Sequence, residues 1–542
     1  MTPSSAAVRT VRDATFDVLR QYKLTRMFAN PGSTEISLLA NLPADLDFTL
    51  ALHEGSVVGI ATGYALARHE PALVIVHTTA GLGNAVGAIA TARVNRAPLV
   101  IIIGQQDRRH LATDPFLAGK LRGLVGDYPV WFNEPATSQD VPAAVARAFH
   151  EAKSHRGPAL VVVPMDCWLE PYDSARPFTA PEHVVVAGNP DTASIAALAE
   201  KIDAAQNPVI ISGAGNSTKT GWSAAVRLAE KLTVPVYQES FAGGAGFPQD
   251  HPLFAGFLSS SKATVREQLA PHDLILSIGA PVFRQYNYEP GEWFGPDTTV
   301  LLITADADEA HRSPVQLAVI ADIAETTEAL ADRVKAVNSA RQAVPARRPA
   351  PAPPTAGEPL RASHVIAALA QRLPEDTILV EETPSTRPDL HELLPARTPM
   401  GFISAAMGGL GFGLPAAIGL RMGAPKTPTV AILGDGSALY AIQGLWSAAH
   451  YKVGSLFIIL NNGRYAVMDR LAEKFGGSPP AWPAFDEINF TELSNSFGCD
   501  AQRISSFTQL TDALDVIVPG LADRTTPLVL VIDVEPELHF AP

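Results

Sequence analysis

Ten short runs of consecutive apolar residues, separated by helical patterns, limit this chain more than any other feature. They are Leu73–His77, Leu99–Gly104, Ala159–Pro164, Val209–Gly213, Leu274–Gly279, Val300–Thr304, Ile378–Glu381, Val430–Leu433, Leu456–Leu460 and Leu528–Asp533. Each is β-branched or leucine-rich without alternation, the pattern of a strand covered on both faces by helices, as in a parallel sheet. The class they predict is α/β, with doubly wound parallel sheets, repeated along the chain. A length of 542 residues, against roughly 150 per domain, calls for several such units. The stretch VPARRPAPAPPTAGEP, Val344 to Pro359, holds six prolines and reads as a stiff spacer. A weaker break falls at EPYDSARPFTAPEHV, Glu170 to Val184. These breaks predict an N-terminal domain over 1–180, a middle domain over 181–343, a linker over 344–359 and a C-terminal domain over 360–542.

Composition excludes several functions. A net charge of −14 repels phosphate backbones and anionic lipid, so neither nucleic acid nor a membrane surface is an expected partner. Only Cys167 and Cys499 are present, too few for a disulfide framework or a thiolate metal site, and a reducing cytoplasm is the expected compartment. Met1 to Lys23 mixes charges through its apolar positions and reads as an amphipathic helix, not a signal segment. Gly401 to Leu420 lacks charge but carries six glycines and Pro415, which reads as a loop and a buried helix, not a membrane span.

The densest local signal runs from Ile432 to Asn462. A buried strand leads into Gly434-Asp435-Gly436-Ser437, then an apolar helix over Ala441–Tyr451, a second strand, and Asn461-Asn462. In a parallel βαβ unit the two strand ends lie side by side, so Asp435 and Asn462 converge across the intervening segment. Their hard oxygen atoms suit Mg²⁺ or Ca²⁺, and the glycines let backbone amides approach a diphosphate. Alone, Asp-Gly is a common turn; strand, GDGS, helix, strand and NN in series is far more specific.

That series resembles the thiamine-diphosphate (ThDP) enzymes, whose signature is GDG followed at this interval by NN. The family also needs a distant glutamate bonded to N1′ of the coenzyme's aminopyrimidine, which makes the coenzyme's own 4′ nitrogen the base. Leu52-His53-Glu54-Gly55, followed by an apolar helix from Val57 to Ala67, supplies it. Read by itself, Glu54 would be an exposed carboxylate at a helix start. The resemblance sharpens to the benzoylformate decarboxylase branch through Asn30-Pro31-Gly32-Ser33-Thr34-Glu35, His77-Thr78-Thr79-Ala80-Gly81-Leu82-Gly83-Asn84, Gly104-Gln105-Gln106, Gly408-Gly409-Leu410-Gly411-Phe412 and Leu414-Pro415-Ala416-Ala417-Ile418-Gly419. It covers nearly the whole chain.

The resemblance implies three domains, binding the pyrimidine, serving as structure, and binding diphosphate with metal. It implies that Ser33 binds the substrate carboxylate and His77 relays protons, although Ser33 could cap a helix and His77 could be a core imidazole. Leu410 would wedge under the coenzyme, and Gly408 would offer its carbonyl to the 4′ amine. Asp435, Asn462 and the carbonyl of Arg464 would hold the cation, with Gly434, Gly436, Ser437, Tyr465 and Ser385 around the diphosphate. Tyr286, Met468 and Leu471 would line the substrate pocket. The chain departs from the branch at three places. Tyr286, in Ala280-Pro281-Val282-Phe283-Arg284-Gln285-Tyr286-Asn287-Tyr288, stands where a second histidine is expected; a tyrosine donates a hydrogen bond but shuttles protons poorly near neutral pH. Met468 and Leu471 replace the usual leucine and phenylalanine, leaving a softer wall. Thr383-Pro384-Ser385 puts a proline into a diphosphate-side loop.

The implied activity is non-oxidative decarboxylation of a benzoylformate-like 2-oxo acid to an aldehyde, with carboligation to 2-hydroxy ketones as a further outcome. The implied assembly is a homodimer or homotetramer with the site between chains. Two competing readings remain: an acetolactate-synthase-like enzyme with FAD in the middle domain at Ser212-Gly213-Ala214-Gly215-Asn216, and a non-catalytic ThDP-binding relative. A nicotinamide dehydrogenase is disfavoured because no GxGxxG follows an early strand.

Overall fold

The computed structural model describes residues 8–536 except 176, 178, 179, 187, 189, 285, 337–343, 346, 356 and 477–480. Parts of the expected N-terminal helix, of both expected breaks and of the Tyr286 stretch therefore lie outside the described residues. Three six-stranded sheets account for the apolar runs, and every strand pair within them is parallel. The first contains β1 (Arg26–Asn30), β2 (Asp47–Leu50), β3 (Ala72–Val76), β4 (Leu99–Gln105), β5 (Trp131–Asn133) and β6 (Pro158–Pro164), in the order 2-1-3-4-6-5. The second contains β7 (Pro208–Ser212), β8 (Val236–Gln238), β9 (Phe254–Phe257), β10 (Leu274–Ile278), β11 (Thr299–Thr304) and β12 (Leu317–Ile320), in the order 12-11-10-7-8-9. The third contains β13 (Ile378–Glu382), β14 (Ile403–Ser404), β15 (Thr429–Gly434), β16 (Leu456–Asn461), β17 (Asp500–Ile504) and β18 (Leu528–Asp533), in the order 14-13-15-16-18-17. The expected α/β class with three doubly wound sheets is the observed one.

Six of the eight strands that apolar runs did not announce share one cause. β2, β5, β9, β12, β14 and β17 close the six sheet edges, β8 has only three residues, and β1 carries Arg26 and Asn30 at its ends. An edge strand keeps one face or one side in water, so its sequence need not be uniformly apolar. The helix expected over Ala441–Tyr451 is corrected to two short helices, Asp435–Leu439 and Gly444–His450. Helix thus starts at Asp435 itself. The helix after Glu54 runs over Glu54–Arg68, longer than the Val57–Ala67 expected, and the amphipathic N-terminal helix is Val11–Gln21.

One core joins the first and third sheets. The Glu54–Arg68 helix lies along the helix Gly413–Gly423, and residues of both belong to a single buried apolar cluster that includes Val57, Ile60, Leu414 and Ile418. Apolar burial on this scale, at about 25 cal/mol per Å², is the main term holding the two sheets together. No helix among the described residues is long and apolar enough to cross a membrane. Both cysteines are free and buried.

His391 joins the second and third sheets in a pH-sensitive way. Its ring stacks on Phe257 with centroids 3.7 Å apart, and its buried Nε2 has no hydrogen-bond partner among the described residues. Burial, aided by the nearby Arg387 guanidinium, pushes its pKa down to about 3 from 6.5. The folded chain therefore excludes a proton that the unfolded chain takes up below pH 6.5, and stability present above that pH is lost as pH falls toward 3. Between pH 7 and pH 5 the loss is up to about 2 kcal/mol. Urea unfolding of the wild type and of His391→Phe at both pH values checks this, since the variant is expected to have the shallower slope.

Candidate active site

The strand ends of the first sheet build one group of side chains. Glu54 opens its helix, with His53 as N-cap accepting from the Gly55 amide at 3.0 Å on Nδ1. Glu54 is buried, 8% exposed, so its reading as an exposed helix-start carboxylate fails. Asn84 Nδ2 donates to Glu54 Oε2 at 3.0 Å. A Cβ on Gly81 would stand 3.3 Å from Glu54 Oε1 and 3.0 Å from His77 Cβ. That missing methyl is what lets the glutamate and the histidine flank one spot.

His77 is oriented by a residue that motif reading passed over. Glu35, 1% exposed, meets His77 Nδ1 at 3.0 Å through Oε2, and Thr34 Oγ1 lies 2.9 Å from the same nitrogen. The Gly32 amide also donates to Glu35 Oε2, at 2.6 Å, and Thr34 Oγ1 donates to Glu35 Oε1. With Nδ1 engaged, Nε2 is the nitrogen left for other chemistry. Ser33 is exposed on the short turn Ser33–Glu35, beside Gly32, whose added Cβ would strike the His77 ring. Glu35 stands within the quoted NPGSTE segment, and Gly104 was the available signal: a Cβ there would overlap Glu35 Oε1 at 1.5 Å.

The third sheet builds a second group. Asp435, 3% exposed, accepts from the Gly436 amide at 2.6 Å on Oδ1 and from the Asn462 and Gly463 amides at 2.7 and 2.6 Å on Oδ2. The convergence of Asp435 and Asn462 follows from β15 lying beside β16, with Gly434 opposite Leu460. Burial raises the Asp435 pKa, opposed by the amides of Gly436, Gly463 and Asn462. Asn462 Oδ1 accepts from the Arg464 amide at 3.1 Å, which folds the Arg464 backbone back toward the cradle. Ser385 and Asn462 line one recess with Thr386, Ala466 and Arg470. Ser437 is buried, and the Tyr465 ring covers Gly436 so closely that a Cβ there would lie 2.5 Å from the ring.

This oxygen set fits a hard cation. Among the described residues no group of three or more His, Cys, Asp or Glu side chains could hold a metal, so a bound ion would rest on few carboxylates, Asp435 first, with amide and carbonyl oxygens and a ligand's phosphates. Mg²⁺ is commonly held that way.

Gly408 and Leu410 stand on the loop before the helix Gly413–Gly423. Gly408 has φ +73° and Gly411 φ +89°, and Leu410 between them is 37% exposed. Glu382, the last residue of β13, accepts from the Gly411 amide at 2.6 Å and from the Gly413 amide. Burial pushes its carboxyl up to about 8, against the pull of those amides. Glu381 stays below the ordinary range despite equal burial, because Arg387, the Thr383 amide and the Ser404 hydroxyl face it.

Within one chain the Glu54 end of the first group stands apart from the Gly408–Leu410 loop. Gly81, next to Glu54, and Thr91, whose Oγ1 would lie 3.3 Å from a Cβ on Gly409, are ten residues apart on the helix Thr79–Val94. At 1.5 Å per residue that is about 15 Å.

Of the remaining pocket residues, Tyr286 and Met468 are open to solvent. Tyr286 is 57% exposed on a loop that Arg284 ties to the Ala406 carbonyl at 3.1 Å, next to Gly408. Met468 is 43% exposed and Leu471 half-buried on the helix Ala466–Lys474, which buries none of its residues. In the second sheet, Cβ atoms on Gly213 and Gly215 would collide with the backbone of Gly279 at 2.4 and 2.6 Å. Close packing across the crevice between β7 and β10 therefore accounts for the Gly213-Ala214-Gly215-Asn216 signature without a nucleotide.

Comparison with known proteins finds three matching domain families. Residues 9–121 match the thiamine pyrophosphate enzyme N-terminal TPP binding domain, 195–330 the central domain and 385–532 the C-terminal TPP binding domain. The chain is 37% identical over 511 residues to benzoylformate decarboxylase of Pseudomonas aeruginosa, covering 94% of this chain and 96% of that one. It is 28% identical over 551 residues to a putative acetolactate synthase large subunit of Mycobacterium tuberculosis, covering 96% and 100%. The structure of a thiamine diphosphate-dependent 4-hydroxybenzoylformate decarboxylase from Rhodococcus jostii superposes with a TM-score of 0.91 at 32% identity, covering 98% and 100%.

Proposed function

The chain belongs to the thiamine-diphosphate-dependent 2-oxo acid decarboxylase family, and from that premise we propose that it decarboxylates an aromatic, benzoylformate-like 2-oxo acid to the aldehyde. The observation that carries this reading is the pairing of buried Glu54 with the Glu35-oriented His77 around Gly81. When bound, thiamine diphosphate supplies the carbon nucleophile and the sink for the electron pair released with CO₂.

The chain's own residues supply the rest. Glu54 presents Oε1 to a ring nitrogen of the coenzyme and shares a proton there, while Asn84 holds Oε2. His77, with Nδ1 fixed by Glu35 and Thr34, gives and takes a proton at the substrate's carbonyl oxygen through Nε2. Ser33, on the adjoining turn, donates to the substrate carboxylate. Asp435, Asn462 and the Arg464 carbonyl hold Mg²⁺ or Ca²⁺, with Gly434, Gly436, Ser437, Tyr465 and Ser385 around the diphosphate. Leu410 would wedge under the coenzyme, and Gly408 would offer its carbonyl to the coenzyme's 4′ amine. Tyr286, Met468 and Leu471 form the acyl wall, and a wall without a second histidine slows proton delivery to the nascent aldehyde and leaves time for capture of a second aldehyde. The domain boundaries read from sequence, 1–180, 181–343 and 360–542, belong to the same proposal.

A site that needs both groups also needs two chains. The rise of about 15 Å along the helix Thr79–Val94 from Gly81, beside Glu54, to Thr91, beside Gly409, supports a dimer in which Glu54 of one chain faces Asp435 of the other. The test of function is a panel of 2-oxo acids with added ThDP and Mg²⁺, following CO₂ and aldehyde together. Benzoylformate is expected to turn over fastest. Preference for pyruvate with acetolactate as product would favour the synthase reading instead.

A further inference from the structure

We propose that Glu382 is a positioning residue for the coenzyme: it sets the shape of the Gly408–Gly413 loop, and so the height of Leu410, from behind the site. The inference rests on the functional reading above, in which that loop supports the coenzyme. Glu382 is 5% exposed and stands where β13 ends, opposite Leu433 of β15 and one residue short of the Gly434-Asp435 turn. Its two carboxylate oxygens are divided between two amides on either side of Phe412, Oε1 taking Gly411 and Oε2 taking Gly413. The loop is also pressed onto the side chain, since a Cβ on Gly413 would meet Glu382 Cβ at 2.9 Å.

This arrangement does more than cap a helix. Gly411 adopts φ +89°, and the chain reverses there so that Leu410 projects outward while Phe412 is buried. A left-handed turn of this kind holds one shape only while its amides are fixed. Glu382 fixes them from a strand whose neighbour carries the metal cradle. The heights of Leu410 and of Asp435 are therefore set from two adjacent strand ends, and Glu382 is the link between them.

A glutamine at this position keeps the size but turns one acceptor oxygen into an NH₂ group facing an amide donor. An aspartate keeps both carboxyl oxygens but falls one methylene short of spanning both amides. The experiment is calorimetric titration of wild type, Glu382→Gln and Glu382→Asp with two probes, ThDP plus Mg²⁺ and inorganic pyrophosphate plus Mg²⁺. Pyrophosphate engages the Asp435 cradle but not Leu410. Expected is a fall of about tenfold or more in ThDP affinity with pyrophosphate affinity kept within about twofold, in at least one variant with the wild-type circular dichroism spectrum. Unchanged ThDP affinity in both variants overturns the proposal, and so does an equal loss of both ligands, which marks a general defect of the domain. Failure of the wild type itself to bind ThDP overturns the functional reading instead.

Discussion

Glu54→Gln lowers turnover by about a hundredfold to ten-thousandfold, the range that a positioned acid–base group contributes, while the affinity for ThDP changes far less. Glutamine preserves the volume of the side chain beside Gly81 and can still meet Asn84 through its amide. What it cannot do is share a proton with a ring nitrogen. The fold is expected to tolerate the change, because it removes a buried carboxylate whose side-chain partner is the neutral Asn84 amide. Glu54→Asp separates charge from reach: it keeps the acid but retracts it toward the helix, and an intermediate rate is expected. Steady-state CO₂ release gives the rates and calorimetry gives the affinity. A Gln variant retaining more than about a tenth of wild-type turnover would remove Glu54 from the chemistry.

How much of this was legible beforehand divides by the distance over which each residue acts. Asp435 and Asn462 sit at adjacent strand ends of one βαβ unit, so local order along the chain places them together, as the 2.7 Å contact between the Asn462 amide and Asp435 bears out. The central strands were equally plain, because burial on both faces leaves an uninterrupted apolar run. Glu35 and Glu382 carry no such mark. Each is an ordinary acidic residue until a partner arrives from elsewhere, His77 from 42 residues away and the Gly411 amide from 29. The trace they leave is indirect, in glycines such as Gly104 and Gly413 whose missing Cβ makes room for a carboxylate. The break between the helices Asp435–Leu439 and Gly444–His450 was hidden for a related reason. Gly444 packs against Leu414, 2.8 Å from where its Cβ would be, and that contact belongs to tertiary packing rather than to helical periodicity.

Asp435→Asn is expected to cost at least about a hundredfold in Mg²⁺-dependent ThDP affinity, more than the loss typical of a group that merely supports a ligand. The variant keeps an acceptor for the amides of Asn462 and Gly463 but withdraws the Asp435 carboxylate from the cradle, and neutral oxygens hold Mg²⁺ poorly. Its partner test is to mix it with Glu54→Gln. If one chain supplies Glu54 and the other Asp435, each mixed dimer contains one site with both residues intact and one with neither. After full exchange of subunits at equal amounts, about a quarter of the wild-type rate returns although each parent is nearly inactive. A site completed within a single chain would give no recovery at any ratio, because every site would then carry one defect or the other. The 15 Å or so along the helix Thr79–Val94 is the physical ground for expecting recovery: one chain holds the glutamate and the coenzyme's support loop too far apart to grip the same ring.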